Sequence, residues 1–479
     1  MIPNNISEIK AKIQELFNNS SDLILHEFKT SLNTDTLVVY INGLIDKKAL
    51  NDFVIKPLIE SLNSPYDIVS TIYVTEIKEV NNINNVIYEL VDGHVLLFHE
   101  DLEIAYVINL CRYEKRSVEE STSEQVLRGP RESFIEDLYI NKTLIRRIIR
   151  NNNLVFEDYI FGEQTNTRVS IVYIKGIVNP RILDELKARL KKIKLDAVLD
   201  VHYIEEYLDD SPNSFVCTMF NTEKPDVLSA KILEGRIGII CDGSPNVLTV
   251  PKLFIENLMS AEDYYLRPKF CTYLRILRFI SFFISVLLAG VYVALVNFHQ
   301  EMLPTQLIIS IAGQREGVPL PSLLEALIMI MFFEIMKEAG LRLPKPIGQT
   351  VTLIGGLVIG QAAVDAGLIS AFMVIVVSAT GIAEFVNPSL RELIVIYRLL
   401  MIVLGGLLGL FGIACGILIF IFHLISIKSF GVPFMFPVAP YDKEGMKDFL
   451  RRAPLRKMNY RPKYISDENT RKRNNTYEK

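Results

Sequence analysis

The strongest constraint on the fold is a run of about twenty apolar residues, FISFFISVLLAGVYVALVNF, at positions 279–298. In a helix, such a run spans roughly 30 Å, the thickness of the hydrocarbon core of a bilayer. Charged residues make up 22% of the chain and fall mostly before about residue 280 or after about residue 440. Four further apolar runs follow the first, at 323–336, 347–369, 371–386 and 394–427. The sequence therefore predicts a soluble N-terminal region joined to an all-α multi-pass transmembrane domain.

The basic residues that flank the apolar runs predict the orientation in the membrane. Four of them precede the first run with no acid among them: Arg267, Lys269, Arg275 and Arg278. After the last run, residues 441–479 hold twelve Lys or Arg against six Asp or Glu. Since short cytoplasmic segments carry the excess of Lys and Arg, both termini are expected in the cytoplasm.

Two cytoplasmic termini require an even number of membrane crossings, whereas one crossing for each apolar run would give five. Either 371–386 enters the membrane and returns, or the run 394–427 bends back on itself. The segment 303–314 is too short to cross and is expected to form a half-helix. We expect four full crossings plus short embedded segments, which are tolerated at membrane depth only where protein or a water-filled cavity surrounds them.

The soluble region contains an internal repeat. The segments LVVYINGLIDKKALNDFVIKPL (37–58) and SIVYIKGIVNPRILDELKARL (170–190) each have a β-branched run, a Tyr-Ile pair, a glycine three residues after the tyrosine and an amphipathic helix. DGHVLLFHEDLEIAYVI (92–108) likewise resembles EGRIGIICDGSPNVLTV (234–250). Short apolar strands that alternate with helices predict two related small α/β lobes.

These patterns predict five parts of the chain. They are a helical or flexible N-terminal segment (1–29), a first α/β lobe (30–125), a second α/β lobe with a linking helix (126–265), a multi-pass membrane domain with short embedded segments (266–440) and a basic cytoplasmic tail (441–479).

The soluble region shows no motif for enzyme chemistry or for nucleic-acid binding. The glycines of 234–243 lack the spacing of a dinucleotide or phosphate loop. The five cysteines are scattered without a CxxC pair, and the histidines are dispersed, so neither a metal site nor a cofactor is expected. The helix expected within 128–150 carries three arginines near its end, but acids are interleaved and no aromatic stacking platform is present, which favours a solvated or interface helix.

The carboxylates Glu325, Glu334 and Asp365 lie inside the apolar runs. By insertion scales, a charged carboxylate at the centre of a membrane helix costs roughly 2.5–3.5 kcal/mol, and such residues usually mark ion or proton pathways. We therefore predict that these three acids serve an ion pathway or its gating. The alternative is that they cap helices or hydrogen-bond to neighbouring helices.

Helical spacing separates the two glutamates. Glu325 and Glu334 are nine residues apart and point to nearly opposite sides of one helix. Glu334, Glu338 and Arg342 follow one another at intervals of four, as in an ion-pair ladder. Glu325 has no such partner in the sequence.

Two series of small residues, each spaced by four, three and four positions, predict close helix packing. The first series is Gly356, Gly360, Ala363 and Gly367. The second is Gly405, Gly409, Gly412 and Gly416. Asp365 lies more than about 90° round the helix from the first series. The two series are expected to pack together, within one chain or between copies, unless the small residues are merely tolerated in a loose membrane helix.

A set of motifs follows in order along the chain from about residue 30 to 440: RGPRESFIEDLYINKTLIRRII, TEKPD, ILEGRIGIICDGSP, AEDYYLR, REGVPLPSLLEALIM, FFEIMKEAGLRLP, IGGLVIGQAAVDAGLIS and SFGVPFMFPVAP. This set resembles the A subunits of spore germinant receptors, the GerA family. The family's usual TERPD motif reads Thr222-Glu223-Lys224-Pro225-Asp226 here, with lysine in place of arginine.

This resemblance implies a multi-pass protein of the spore's inner membrane that acts with a permease-like B subunit and a lipoprotein C subunit to sense nutrients and start germination. It also implies a homo-oligomeric ring, embedded in membrane lipid, whose membrane part conducts monovalent cations. It supplies no catalytic residues and no cofactor.

Three alternatives remain open at this point. A secondary transporter would need repeated membrane halves, whereas the repeat lies in the soluble region. A cytoplasmic scaffold with a membrane anchor would not need intramembrane acids. A paralogous accessory subunit of the dipicolinate-release channel is not separated from a nutrient receptor by these motifs.

Overall fold

The chain folds into two consecutive α/β lobes, a helical region and a C-terminal segment that returns to the second lobe. The computed structural model describes residues 5–111, 124, 128–344 and 360–467, apart from the side chain of Asn84.

Each lobe is built on a five-stranded antiparallel sheet. The first sheet has the order β1-β2-β4-β5-β3, and the second has the same order, β6-β7-β9-β10-β8. The first five strands are β1 (Leu23–Lys29), β2 (Asp35–Ile41), β3 (Ile77–Val80), β4 (Val95–His99) and β5 (Ala105–Ile108). The second five are β6 (Leu154–Phe161), β7 (Thr167–Ile174), β8 (Phe220–Thr222), β9 (Ile237–Cys241) and β10 (Val247–Val250).

This common topology confirms the α/β prediction and gives the repeat its structural basis. Tyr40 lies in β2 and Tyr173 in the corresponding strand β7. The glycines that follow them, Gly43 and Gly176, have φ values of 88° and 86°. Only glycine adopts this conformation without steric cost. The turn that follows the strand therefore requires a glycine at the same position in both repeats of the sequence.

Short helices cover both faces of the two sheets. They are α1 (Ile6–Leu16), α2 (Lys47–Leu50), α3 (Lys56–Ser61), α4 (Ile68–Thr71), α5 (Ile83–Asp92), α6 (Leu138–Ile148), α7 (Pro180–Leu190), α8 (Val201–Leu208) and α9 (Pro225–Leu233). The short helix α10 (Glu262–Tyr265) follows and contacts the next long helix. Helix α1 packs its buried isoleucines into the core of the first lobe, and β1 begins at Leu23. The first lobe therefore includes most of the segment 1–29, which the sequence analysis set apart.

Helix α6 forms the interface between the lobes. Its Arg146 is fully buried, and its Nη2 lies 2.7 Å from Oδ2 of Asp22, which precedes β1. Lys142 of the same helix donates a 3.2 Å hydrogen bond to Ser21 of the first lobe and also pairs with Asp158 of its own lobe. These arginine and lysine side chains hold the lobes together, as expected for an interface helix.

Two of the sequence motifs meet beside α9. The ammonium of Lys224 is buried and donates a 2.7 Å hydrogen bond to the carbonyl of Pro130. The backbone amide of Phe134 donates to the carbonyl of Glu223. The Pro130 carbonyl needs only one hydrogen-bond donor, so lysine can take the place of the arginine that is usual in this motif.

The helical region follows the second lobe. Its helices are α11 (Pro268–Phe298), α12 (Thr305–Arg315), α13 (Ser322–Arg342), α14 (described over 360–365), α15 (Ala371–Phe385) and α16 (Arg391–Ser426). Among the described residues, Pro268–Phe298 and Pro388–Ser426 are long and apolar enough to cross a membrane. Helix α12 is the short helix expected over 303–314. Helix α15 runs straight through the segment 371–386, so that segment does not turn back.

Helix α16 is a hairpin of two antiparallel arms, 391–408 and 410–426. Gly409 has φ 65° and ψ −147°, which breaks the helix. The Tyr397 hydroxyl lies 2.6 Å from Nδ1 of His423, 26 positions later in the chain. In one straight helix these residues would be roughly 39 Å apart. The long last apolar run therefore bends back on itself, which is the second of the two expected alternatives.

The glycines of the second series allow close packing in this hairpin, but they do not line one face of a single helix. A Cβ atom on Gly405 would lie 2.5 Å from the carbonyl oxygen of Gly290 in α11. Cβ atoms on Gly412 and Gly416 would instead collide with the opposite arm, at Leu404 and Met401 respectively. The series therefore packs the first arm against α11 and the two arms against each other, with Gly409 as the turn between them.

The first series is only partly described, since Gly356 lies outside the described residues. Gly360 is buried, and a Cβ atom on it would lie 3.7 Å from Val374 of α15. Ala363 packs against the same apolar cluster as α13 and α15. Gly367 has φ 65° and follows the end of α14, so it ends the helix and does not continue the series.

The C-terminal segment returns to the second lobe. The Ile465 side chain is fully buried in the core that the second lobe shares with α11 and α16, and Ser466 bridges to Val178. The described part of the basic tail, 441–467, is therefore packed against the protein.

We expect Gly405→Ala to lower the free energy of unfolding by about 1–3 kcal/mol, because the added methyl group must push α11 and the hairpin apart. Thermal unfolding of the purified protein in detergent, followed by circular dichroism, measures the effect. Gly313→Ala in α12 is the matched control, since its Cβ atom would have no neighbour within 4 Å. A Gly405→Ala protein as stable as the wild type would contradict the close packing.

Candidate functional site

Glu325 is buried at the end of the helical region that lies away from the α/β lobes. It lies in the first turn of α13, and one oxygen accepts a hydrogen bond from the backbone amide of Ser370. Ser370 is the N-cap of α15, so the carboxylate faces the positive end of that helix. The positions of Glu325 and Ser370 show that α13 and α15 begin at the same end.

The surroundings of Glu325 are polar. Ser322 donates a hydrogen bond to Asn297 near the end of α11. The buried Tyr292 hydroxyl is near Ser370 and Glu325 and has no hydrogen-bond partner among the described residues. Within the described part of the chain, the second oxygen of Glu325 also has no hydrogen-bond partner. Buried polar atoms are nearly always satisfied, so this pair of oxygens is suited to hold water, a proton or a cation.

Glu334 belongs to a second site, a cluster of four charged residues at the opposite end of the helical region. We call this set the charge cluster: Glu334, Lys337, Glu384 and Arg398. Lys337 Nζ lies 3.0 Å from Glu334 Oε2 and 2.5 Å from Glu384 Oε1. Arg398 Nη1 lies 3.0 Å from Glu384 Oε2, and Nη2 pairs with Glu334.

The charge cluster has no net charge and joins three helices, α13, α15 and the first arm of α16. Arg398 is fully buried and Glu384 is 3% exposed. Taking charges out of water costs several kcal/mol per ion, and only well-placed partners offset this cost. Glu334 is therefore paired with basic residues of its own and a neighbouring helix. This arrangement fits the alternative of bonding between helices better than a position in an ion pathway.

Three of these four residues escaped the sequence analysis. Glu384 and Arg398 lie inside the apolar runs 371–386 and 394–427. Arg398 is 64 positions from Glu334. No spacing rule links such distant positions. Lys337, three positions after Glu334, was within reach of helical pairing rules. Part of the expected ladder is present, since Arg342 Nε lies 2.7 Å from Glu338 Oε1.

Asp365 lies apart from both sites. It is exposed at the end of α14, and it accepts a 3.0 Å hydrogen bond from Gln361 one turn earlier. The structure therefore places the three predicted acids at three different locations. Of these, only Glu325 is both buried and left with an oxygen that no described group pairs.

A third set of charges fixes the start of α11 to the α/β region. Arg275 Nε lies 3.0 Å from Asp263 Oδ2, and its Nη1 lies 2.8 Å from Asp448 Oδ1. Arg278, one turn later, binds Asp263 as well. Burial raises the pKa of Asp448 although Arg275 opposes the shift. The C-terminal segment and the second lobe therefore both bind the N-terminal end of α11 through ion pairs.

Comparisons with known proteins assign a family. Residues 11–464 match the family described as Bacillus/Clostridium GerA spore germination protein. The chain is 41% identical to spore germination protein KA of Bacillus subtilis over 97% of this chain and 86% of that protein. It is 36% identical to spore germination protein GerLA of Bacillus cereus over 97% of this chain and 96% of that protein.

A solved structure is also similar in sequence. It is the N-terminal domain of the A subunit of the Bacillus megaterium spore germinant receptor GerK3, with 30% identity and a TM-score of 0.42. The match covers 53% of this chain and 97% of that domain.

Replacing Arg398 by Met should lower the free energy of unfolding by about 3–5 kcal/mol, because Glu334 and Glu384 would keep their charges without their guanidinium partner. Arg342→Met is the matched control. Its side chain is 80% exposed, so loss of its pair with Glu338 should cost less than about 1 kcal/mol. Chemical unfolding in mixed micelles compares the two variants. Equal, small losses would show that the charge cluster does not hold the three helices together.

Proposed function

Because the chain belongs to the GerA family of spore germination proteins, we propose that it is the A-type membrane subunit of a nutrient-sensing germinant receptor. Copies of the chain assemble into a ring in the spore's inner membrane and form a gated channel for monovalent cations. A permease-like B subunit and a lipoprotein C subunit complete the receptor, as family membership implies. The protein acts by binding and conformational change and not as an enzyme.

The arrangement of the helices supports a multi-pass domain. Helix α11 leads away from the lobes, α13 and α15 both lead back, and the two arms of α16 lead out and back again. The apolar run 347–369, which is expected to cross, brings the number of crossings to six. This even number agrees with two cytoplasmic termini and replaces the expectation of four crossings with embedded segments.

The observation that carries the channel proposal is the unpaired oxygen of Glu325. It lies beside the Tyr292 hydroxyl, at the end of the helical region that faces the outside in this orientation. A carboxylate there attracts cations to the mouth of a pathway. Asp365, exposed on the same protomer, lines the pathway where protomers meet in the ring. We assign Glu334 to gating, since its partners tie α13 to the hairpin.

Gating then consists of a shift between two packings of the helices. A nutrient held by the B subunit stabilises the open packing only if it makes different contacts in the two states. The glycine contacts between α11 and the hairpin allow such a shift, because few side-chain atoms interlock at Gly290 and Gly405.

Glu325→Gln should reduce potassium flux by about ten-fold, which corresponds to roughly 1.4 kcal/mol at the energy barrier. Asp365→Asn should reduce it as well, and assembly should be retained in both variants. The flux is recorded from the purified receptor in liposomes, with size-exclusion chromatography as the check on assembly.

Glu338→Gln is the matched control for this experiment. It removes an exposed carboxylate from the same helix, α13, without touching the Glu325 site. Wild-type flux in both Glu325→Gln and Asp365→Asn would remove these acids from the pathway. Absence of flux from the wild-type receptor in the presence of nutrient would contradict the channel itself.

A further inference from the structure

A cavity of about 230 Å³ lies where the second lobe meets the helical hairpin. One wall comes from the lobe, at 215–217 together with Lys252 and Asn257. The other wall is the beginning of the hairpin, at 388–393. The cavity therefore lies at the level where the soluble region gives way to the membrane helices.

Two buried polar side chains of the lobe line this cavity with unused bonding capacity. Lys252 is 5% exposed, and its ammonium lies 5.9 Å from the centre of the Phe220 ring. Among the described residues, no carboxylate lies within 4.0 Å of that ammonium, and its electrostatic partner at longer range is Glu205, which accepts a hydrogen bond from Cys217 on the lining. Asn257 is 6% exposed, and its amide group donates to the Phe254 carbonyl, whereas no group in the described part of the chain donates to its oxygen.

The opposite wall adds further positive potential. The first turn of the hairpin, which follows Asn387, presents the positive end of a helix to the cavity. Arg391 lines the same wall, and its nearest acid, Glu338, is 3.9 Å away and half exposed. Among the described lining residues, Glu392 is the one negative side chain. Glu205, behind the lining, is engaged by Cys217 and His202, so two cationic groups and a helix start face Glu392 on the lining itself.

We propose that this cavity binds a phosphate group that also carries a hydroxyl. The ammonium of Lys252, the guanidinium of Arg391 and the start of the hairpin bind the charged oxygens. The unpaired oxygen of Asn257 accepts a hydrogen bond from the hydroxyl, which a fully ionised anion without a proton cannot supply. Binding ties the second lobe to the base of the hairpin, independently of the proposed ion pathway.

Two sources offer this chemistry. One is hydrogen phosphate in solution, whose P–OH is the donor. The other is the glycerol phosphate headgroup of an anionic lipid, since basic pockets beside the cytoplasmic ends of membrane helices bind such headgroups.

The test uses the full-length protein in nanodiscs and has one arm for each source. In phosphatidylcholine nanodiscs, inorganic phosphate is titrated by calorimetry. In nanodiscs that contain phosphatidylglycerol, native mass spectrometry counts the lipids that stay bound. Lys252→Met should weaken phosphate binding, or reduce lipid retention, by about ten-fold. Lys192→Met, at an exposed lysine of the same lobe, should behave as the wild type.

Lys252→Arg keeps the positive charge and should retain binding. Arg391→Gln removes the cation of the opposite wall and should weaken binding as well, so it replaces Lys252→Met if that variant does not fold. An effect in the first arm identifies free phosphate, and an effect in the second identifies the lipid headgroup. If the wild type binds neither probe, or if every variant binds as the wild type does, the proposal is overturned.

Discussion

A charge buried among packed apolar helices must keep its partner, and this requirement decides how the helical region is arranged. Arg398 and Lys337 each bridge Glu334 and Glu384, so α13, α15 and the first arm of α16 cannot separate at the end near the lobes without exposing unpaired charges. At the other end, Glu325 joins α13 to α15 through one backbone amide and keeps one oxygen unpaired. The two ends therefore differ: one is closed by ion pairs, and the other retains capacity for water and ions.

The α/β region and the helical region share one continuous core. Phe254 of the second lobe contacts Phe282 of α11 and Phe434 of the C-terminal segment, with ring centres 6.0 Å apart in both pairs. The ion pairs of Arg275 reinforce this junction. A ligand or partner that shifts the second lobe would therefore also move the base of α11 and of the hairpin, which is the coupling that the proposed receptor channel needs.

The features that could be predicted from the sequence are local ones. Gly43 and Gly176 follow equivalent strands with positive φ, so the repeat is visible in the residues themselves. The hairpin is not visible in the sequence, because Gly409 has the same spacing as the glycines that make packing contacts. Only the backbone angles of Gly409 show that it forms a turn. The charge cluster depends on pairs up to 64 positions apart, which no periodicity encodes. Glu325 and Asp365 both lie in apolar runs of the sequence, yet Glu325 is buried and Asp365 is exposed, because the exposure of Asp365 depends on how α14 ends.

In the proposed channel, water and ions reach Glu325 when the receptor opens, while the charge cluster stays dry. A cysteine placed at either site reports this directly through its reaction with a charged, membrane-impermeant thiol reagent, in a protein whose five native cysteines are replaced by serine. We expect Glu325→Cys to react faster when nutrient is present. Glu384→Cys should not react either with or without nutrient. Protection of Glu325→Cys in both states, or equal labelling at the two positions, would contradict it.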